Sequence, residues 1–205
     1  MRGITNRIDV RSIRREQILE AAEQLAIERG WEQITILDIC QKAGVSSGVL
    51  TYHFKNKDEI LYTLLDVFIG RIDLHLNTAT RGRMSLQEDI NGFLQGLETL
   101  LVSEPHFPYL LIHFAAASLN RPKIAEKLKT LFAGFRHRKL EEWNAAGILT
   151  NREKDDNLIL ISMLHIVSLG VVLGRPIIGI DLPHDRLIQE VKRVMLLLVA
   201  DPPPG

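Results

Sequence analysis

Ser46, Ser47, Gly48, Val49, Thr51, Tyr52 and His53 are crowded into one short stretch, with Lys55 and Lys57 just beyond it. Hydroxyls, an imidazole and a phenol beside two ammonium groups suit hydrogen bonding to base edges and salt links to phosphates, rather than the making of bonds. The patterns that carry catalysis are not found. There is no G-x-S-x-G, phosphate-binding loop, dinucleotide fingerprint or His-x-x-x-His, and neither a cofactor nor a metal is expected. Capping and close approach account for Ser46-Ser47-Gly48. The acid pairs Glu141-Glu142 and Asp155-Asp156 lie on polar stretches and read as solvated faces.

Such a stretch works only if something presents it. Thr35 can cap a helix, with Asp38 at the third helical position as a weaker partner than the Glu or Gln of a full capping box. Ile34 and Ile39 are placed as a hydrophobic staple, and Gly44 supplies the left-handed residue that ends the helix. Ser46 can cap the next helix, with Val45 and Leu50 as its staple, and Asn56 with Glu59 repeats the pattern for a third. Three helix starts between Thr35 and Asn56 describe a compact angular unit with one very short helix. In that helix Leu50 and the following Phe54 point inward, leaving Ser47, Gly48, Thr51, Tyr52 and His53 outside. Gly48 costs about 1 kcal/mol of helix propensity and so needs a reason, which close approach of backbone to DNA would give.

The run from Thr35 to Glu59 strongly resembles the DNA-binding region of the tetracycline-repressor (TetR) family. Ala43-Gly44-Val45-Ser46, Gly48, Tyr52-His53-Phe54 and Lys57 with its following acidic residues carry the match. The helix ending in Arg29-Gly30-Trp31 sits where that family has its first helix, and past Leu65 the likeness is one of helical type only. The resemblance implies that Ser47, Gly48, Val49 and Thr51 face base edges. It implies that Tyr52, His53 and Lys57 touch the DNA backbone and that Thr35 lies near a phosphate. Cys40 stands where the family usually has alanine. Thr51 stands where many members carry tyrosine, which leaves that base contact open.

The rest of the chain must support and duplicate this reading head. Its 205 residues are 46% hydrophobic and 24% charged with zero net charge, ordinary for a globular protein and without a global pull toward nucleic acid. Locally, Arg2, Arg7, Arg11, Arg14 and Arg15 stand against only Asp9 near the start. They read as a mobile phosphate-neutralising arm or as an ordinary solvated terminus. Apolar residues recur at helical spacing in Ile18, Ala21, Ala22, Leu25 and Ala26, and again in Leu61, Leu64, Leu65, Phe68 and Ile72. Further helices are expected over 86–101, 108–119, 123–143, 157–173 and 186–199. Gly147, Gly174-Arg175-Pro176 and Asp181-Leu182-Pro183 punctuate them, and the tail 201–205 cannot continue a helix.

The expected fold is all-α. An arm and three-helix helix-turn-helix domain occupy residues 1–57, and a larger helical ligand-binding and dimerisation domain occupies 58–205. Two helices, about 157–174 and 184–199, are apolar enough to pair with a second copy, and Gly170 and Gly174 would allow close approach. The resemblance implies a four-helix interface of that kind. Phe93, Phe107, Tyr109, Phe114, Phe132, Phe135 and Trp143, with His113 and His165 as polar points, describe an effector chamber or a plain core equally well. The single cysteine rules out an intrachain disulfide. No signal peptide is apparent, and the apolar run 158–173 is short for a span and reads as a buried helix. A cytoplasmic homodimer is expected, away from membranes. Its partners would be a palindromic double-stranded operator and a small-molecule effector, with repression the commoner sign in the family. Activation, or binding of DNA without sequence preference, is the competing reading.

Overall fold

The computed structural model describes residues 10–77, 85–147, 154–174, 177, 179 and 183–199, and over these it contains helices and no strand. Helices α1 (Val10–Arg29), α2 (Ile36–Ala43), α3 (Ser47–His53) and α4 (Lys57–Ile72) come first, and a single π-turn, Asp73–Asn77, extends α4. Then follow α5 (Leu86–Ser103), α6 (Phe107–Ser118), α7 (Pro122–Ala145), α8 (Lys154–Leu173) and α9 (His184–Val199). The chain divides into two compact units, residues 1–68 and 69–205.

In the first unit α1 packs on α2 and α3. Its apolar row Ile18, Ala22 and Leu25 is buried together with Ile39, Leu50, Phe54, Leu61 and Leu65. Helix α1 starts earlier than the expected arm allows. Arg11, Arg14 and Arg15 are helical, because arginine is a good helix former and the buried row beginning at Ile18 gives this turn a helix to extend. Arg2, Arg7 and Asp9 lie outside the described residues. Gly30, at φ 83°, turns the chain out of α1, and its N–H returns to the Ala26 carbonyl at 2.8 Å. A 3-10 turn, Trp31–Gln33, follows and buries the Trp31 ring. Ion pairs Lys42–Glu28 (2.6 Å) and Arg29–Asp38 (3.6 Å) tie α2 to the end of α1.

In the second unit α5 packs on α9, α6 on α7, α7 on α8 and α8 on α9. Ser85 and Glu88 cap α5 reciprocally, and Pro108 and Pro122 occupy first turns, where a missing N–H costs nothing. One core cluster joins Ile90 and Leu94 of α5, Leu140 and Trp143 of α7, Leu160, Ile161 and Leu164 of α8, and Val191 and Met195 of α9. A buried polar group sits beside it. Lys139 Nζ donates to Asp89 at 2.9 Å and to Glu142 at 2.7 Å, and the Trp143 indole N–H donates to the other Asp89 oxygen at 2.9 Å.

Helix α8 is not the fully buried helix expected from its composition. The 18 residues Asp156–Leu173 have a mean hydropathy of 1.9, long and apolar enough to cross a membrane, yet only 33% of that window is buried. Ile159, Met163 and Ile166, with Gly170, recur at helical spacing on one face and are exposed. On α9, Val194 and Leu197 are likewise exposed. The stretches 175–176 and 181–182 and the tail 201–205, read above as punctuation and a frayed end, lie outside the described residues.

Candidate nucleic-acid interface and interior cavity

Local hydrogen bonds set the three helix starts. Thr35 Oγ1 accepts from the Asp38 N–H at 3.1 Å while the Thr35 N–H reaches Asp38 Oδ2 at 2.6 Å, so the aspartate completes a capping box despite its short side chain. The Thr35 hydroxyl also donates to Asp38 Oδ2 at 2.6 Å, and this bond, followed by that of the Thr35 N–H, holds the Asp38 carboxyl below the usual carboxylate range. Gly44 adopts the left-handed conformation (φ 64°, ψ 35°), and its N–H returns to the end of α2. Ser46 Oγ accepts from the Val49 N–H at 3.3 Å. The third cap differs slightly from the expected box. Asn56 Oδ1 accepts from the Glu59 N–H at 2.9 Å, but the Glu59 carboxylate takes the N–H of Lys55, at 2.6 Å.

Between these caps α3 is divided cleanly. Leu50 and Phe54 are buried, whereas Ser46, Ser47, Gly48, Thr51, Tyr52 and Lys55 are exposed and Val49 and His53 are half-buried. Tyr52 is 68% exposed, an unusual position for a ring that has a core close by. Thr51 is exposed, and its hydroxyl donates to the carbonyls of Ser47 (3.0 Å) and Gly48 (3.2 Å). A Cβ built on Gly48 would meet only Ser46 Oγ, at an ordinary 3.9 Å, so nothing inside the fold requires glycine there.

The flanking cations are arranged less simply than the sequence suggests. Lys57 Nζ donates to the Trp31 carbonyl at 2.6 Å and lies 5.0 Å above the Trp31 ring, so its ammonium is held by its own fold. Two residues read as part of the arm take up the flanking position. Arg11 and Arg15, one turn apart on α1, lie 5.3 Å over the Tyr52 ring and 4.9 Å over the Phe54 ring. Their spacing of four was the signal available in the sequence, since it puts both on one helix face.

The second unit contains an apolar cavity that is partly open to solvent. Of the expected chamber residues, Phe93, Phe107, Phe132, Phe135 and His165 line it, joined by leucines of α5, α6 and α7. Trp143 instead faces a neighbouring space, which Phe93, Phe135 and His165 also border. Tyr109, His113 and Phe114 line neither. On α6 the cavity-facing row is Phe107 and Leu111, and Tyr109 falls on the exposed side. Phe114 continues that row one turn past the lining, and His113 is half-buried beside it, where burial lowers its pKa. His165 is pushed down to about 4 by burial and, second, by the charge of Arg136. Among the described residues no group of three or more His, Cys, Asp or Glu side chains is placed to hold a metal ion.

Residues 18–63 match the family model described as bacterial regulatory proteins, tetR family. Over 71 residues the chain is 39% identical to the HTH-type transcriptional repressor KstR2 of Mycolicibacterium smegmatis, a match spanning 33% of this chain and 35% of that protein. Over 52 residues it is 46% identical to the HTH-type transcriptional regulator TtgR of Pseudomonas putida, 25% of either chain. The chain therefore matches about a third or less of the length of these relatives. Among solved structures, the transcriptional regulator FadR from Bacillus subtilis, in complex with stearoyl-CoA, has a TM-score of 0.73 at 19% identity. That superposition covers 90% of this chain and 97% of the other, and the likeness is one of fold.

Proposed function

We propose that the chain, whose residues 18–63 match the model of the bacterial tetR family, is a DNA-binding transcriptional regulator of that family, released from a palindromic operator by a small-molecule effector. The observation that carries this reading is the division of α3, with Leu50 and Phe54 anchored inside while Ser47, Gly48, Thr51 and Tyr52 face solvent. A helix so presented fits the major groove of B-form DNA, where its first turn meets base edges. Ser47, Gly48, Val49 and Thr51 are assigned to bases, and Thr35, Ser46, Tyr52, His53 and Lys55 to the phosphate backbone, with Arg11 and Arg15 beside them. Lys57 is assigned to the fold rather than to a phosphate.

One reading head of this size binds weakly, and a second copy doubles its contacts. The exposed row Ile159, Met163 and Ile166 on α8, with Val194 and Leu197 on α9, is the surface assigned to that homodimer. An apolar stripe of this length is expensive to leave in water, and two-fold pairing through both helices covers it. The cavity of the second unit is assigned to the effector, a reading supported by the ligand-bound B. subtilis FadR of the same fold. Helix α4 runs across the division between the units, which makes it the element through which the two sites communicate. An effector that prefers the conformation with wrongly spaced reading heads weakens DNA binding by the factor by which DNA weakens effector binding. The reading is of a cytoplasmic, non-enzymatic repressor.

Selection of fragments bound by the purified full chain from genomic DNA tests it. A palindromic sequence enriched over random duplex by roughly a thousandfold is expected of a regulator. Equal affinity for all duplexes, governed by salt alone, would leave only a DNA-coating protein.

A further inference from the structure

The cavity walled by Phe107 and Leu111 extends along two helices. Its lining runs from Phe93 to Leu100 on α5 and from His165 to Val172 on α8, each about 10 Å of helix at 1.5 Å per residue. Charge appears on its wall only in compensated form. Asp73 and Arg138 pair with each other at 3.4 Å, and in the adjoining space Lys139 is already bound to Asp89 and Glu142. The Ser168 hydroxyl is spent on the Leu164 carbonyl at 2.7 Å. Among the described residues, one buried polar side-chain atom of this lining has no hydrogen-bond partner. His165 Nδ1 is buried without a hydrogen bond, and its ring is wedged edge-on against Phe132 and Phe135, 5.0 Å from each, at the point where both cavities meet.

A buried ring nitrogen without a hydrogen bond is costly, and a ligand that satisfies it recovers that cost. We propose that the effector is an elongated, uncharged and mainly apolar molecule whose one polar group, a hydroxyl, carbonyl or amide, hydrogen-bonds Nδ1 of His165. The inference rests on the assignment of this cavity to the effector and names the chemical class it takes. Among the described residues lining the two spaces no unpaired cation awaits a carboxylate; Arg136, whose charge reaches His165, lines a separate, more open pocket with Ser118 and Lys129. The imidazole is neutral at physiological pH because of its burial and Arg136, and Lys139 is committed to two acids. An ammonium would have to draw Asp73 from Arg138 or Asp89 from Lys139. An uncharged group breaks no existing pair, and a neutral imidazole can offer it either a donor or an acceptor.

Three probes of equal chain length and different head group decide the matter: 1-dodecanol, dodecanoate and dodecylammonium. Each is titrated calorimetrically into the full chain at pH 7.5, below its micellar concentration and without DNA. Dodecanol is expected to bind at least about tenfold more tightly than either ion. His165→Phe should weaken dodecanol by about fivefold, the equivalent of one hydrogen bond, and His165→Gln should restore it. Equal or reversed ranking of the probes, no binding by any of them, or an unchanged affinity in His165→Phe overturns the proposal. If His165→Phe does not fold by circular dichroism, the ranking on the native chain is decisive alone. Binding of dodecanol by a chain that ignores every duplex would sink the regulator reading and leave this one standing. Failure of all three probes on a chain that selects an operator would do the reverse.

Discussion

Replacing Gly48 by alanine should make the first unit more stable and worse at binding DNA. The added Cβ meets only Ser46 Oγ at 3.9 Å, ordinary van der Waals contact, and the residue is helical, so the fold accepts the methyl without strain. Alanine then gains most of the helix-propensity difference, about 0.5–1 kcal/mol near a helix start. That corresponds to a two- to fivefold slower hydrogen exchange for amides of α1 to α3 that open only with the whole unit. On DNA the same methyl stands on the exposed face of α3 where the backbone approaches base edges. Overpacking a close contact costs about 1–3 kcal/mol, so operator affinity should fall by about five- to 150-fold. Exchange mass spectrometry and a fluorescence-anisotropy titration on one protein preparation read the two effects together. If Gly48→Ala binds its operator as well as the native chain, α3 does not enter the groove along this face.

Lys57→Ala removes a charge-assisted hydrogen bond to Trp31 and a cation–π contact, together about 2 kcal/mol at a half-buried site. Exchange in the first unit should then quicken about thirtyfold while the salt dependence of DNA binding stays the same; a slope shallower by one would return this lysine to the phosphates. Ile166→Glu places a carboxylate in the middle of the exposed apolar row of α8 and should convert the proposed dimer to monomers in sedimentation, so an unaltered sedimentation coefficient would move the interface elsewhere. His165 should titrate near pH 4 in a proton NMR experiment. Its folded pKa lies below its unfolded one, so the folded chain takes up fewer protons and stability falls as pH drops from about 6.5 toward 4. A midpoint near 6.5 would mean that the ring is solvated and the cavity wet.

The parts of this molecule that the sequence spells out are those fixed by neighbours in the chain. Thr35, Ser46 and Asn56 each bond an N–H three residues on, and Gly44 ends α2 by its own backbone, so no tertiary information was needed to find the reading helix. The side chains of α3 could be sorted into inner and outer ones for the same reason, since one helical period decides it. Contacts between distant residues were not legible. Lys57 reads in the sequence as a phosphate ligand, and nothing there announces that its ammonium bonds Trp31, 26 positions upstream. Arg11 and Arg15 looked like a loose arm because nothing in the first residues announces that Tyr52 and Phe54 will lie beneath them. In the second unit aromatic type alone could not separate Phe107, on the cavity wall, from Tyr109 on the outside. Nor did it signal that Asp89 and Lys139, 50 residues apart, are buried as a pair.

That pair limits how the chain can change over time. Asp89, Lys139 and the indole of Trp143 satisfy one another inside the second unit, so losing Lys139 alone strands the Asp89 charge away from water, a defect of about 3–5 kcal/mol, and losing Asp89 leaves Lys139 only the outer Glu142. Exchanging both for apolar side chains of matching size could be harmless. Descendants should therefore carry the trio intact or lack both ions, with the halfway genotypes missing, even while the cavity wall a few ångströms away is free to drift toward new ligands.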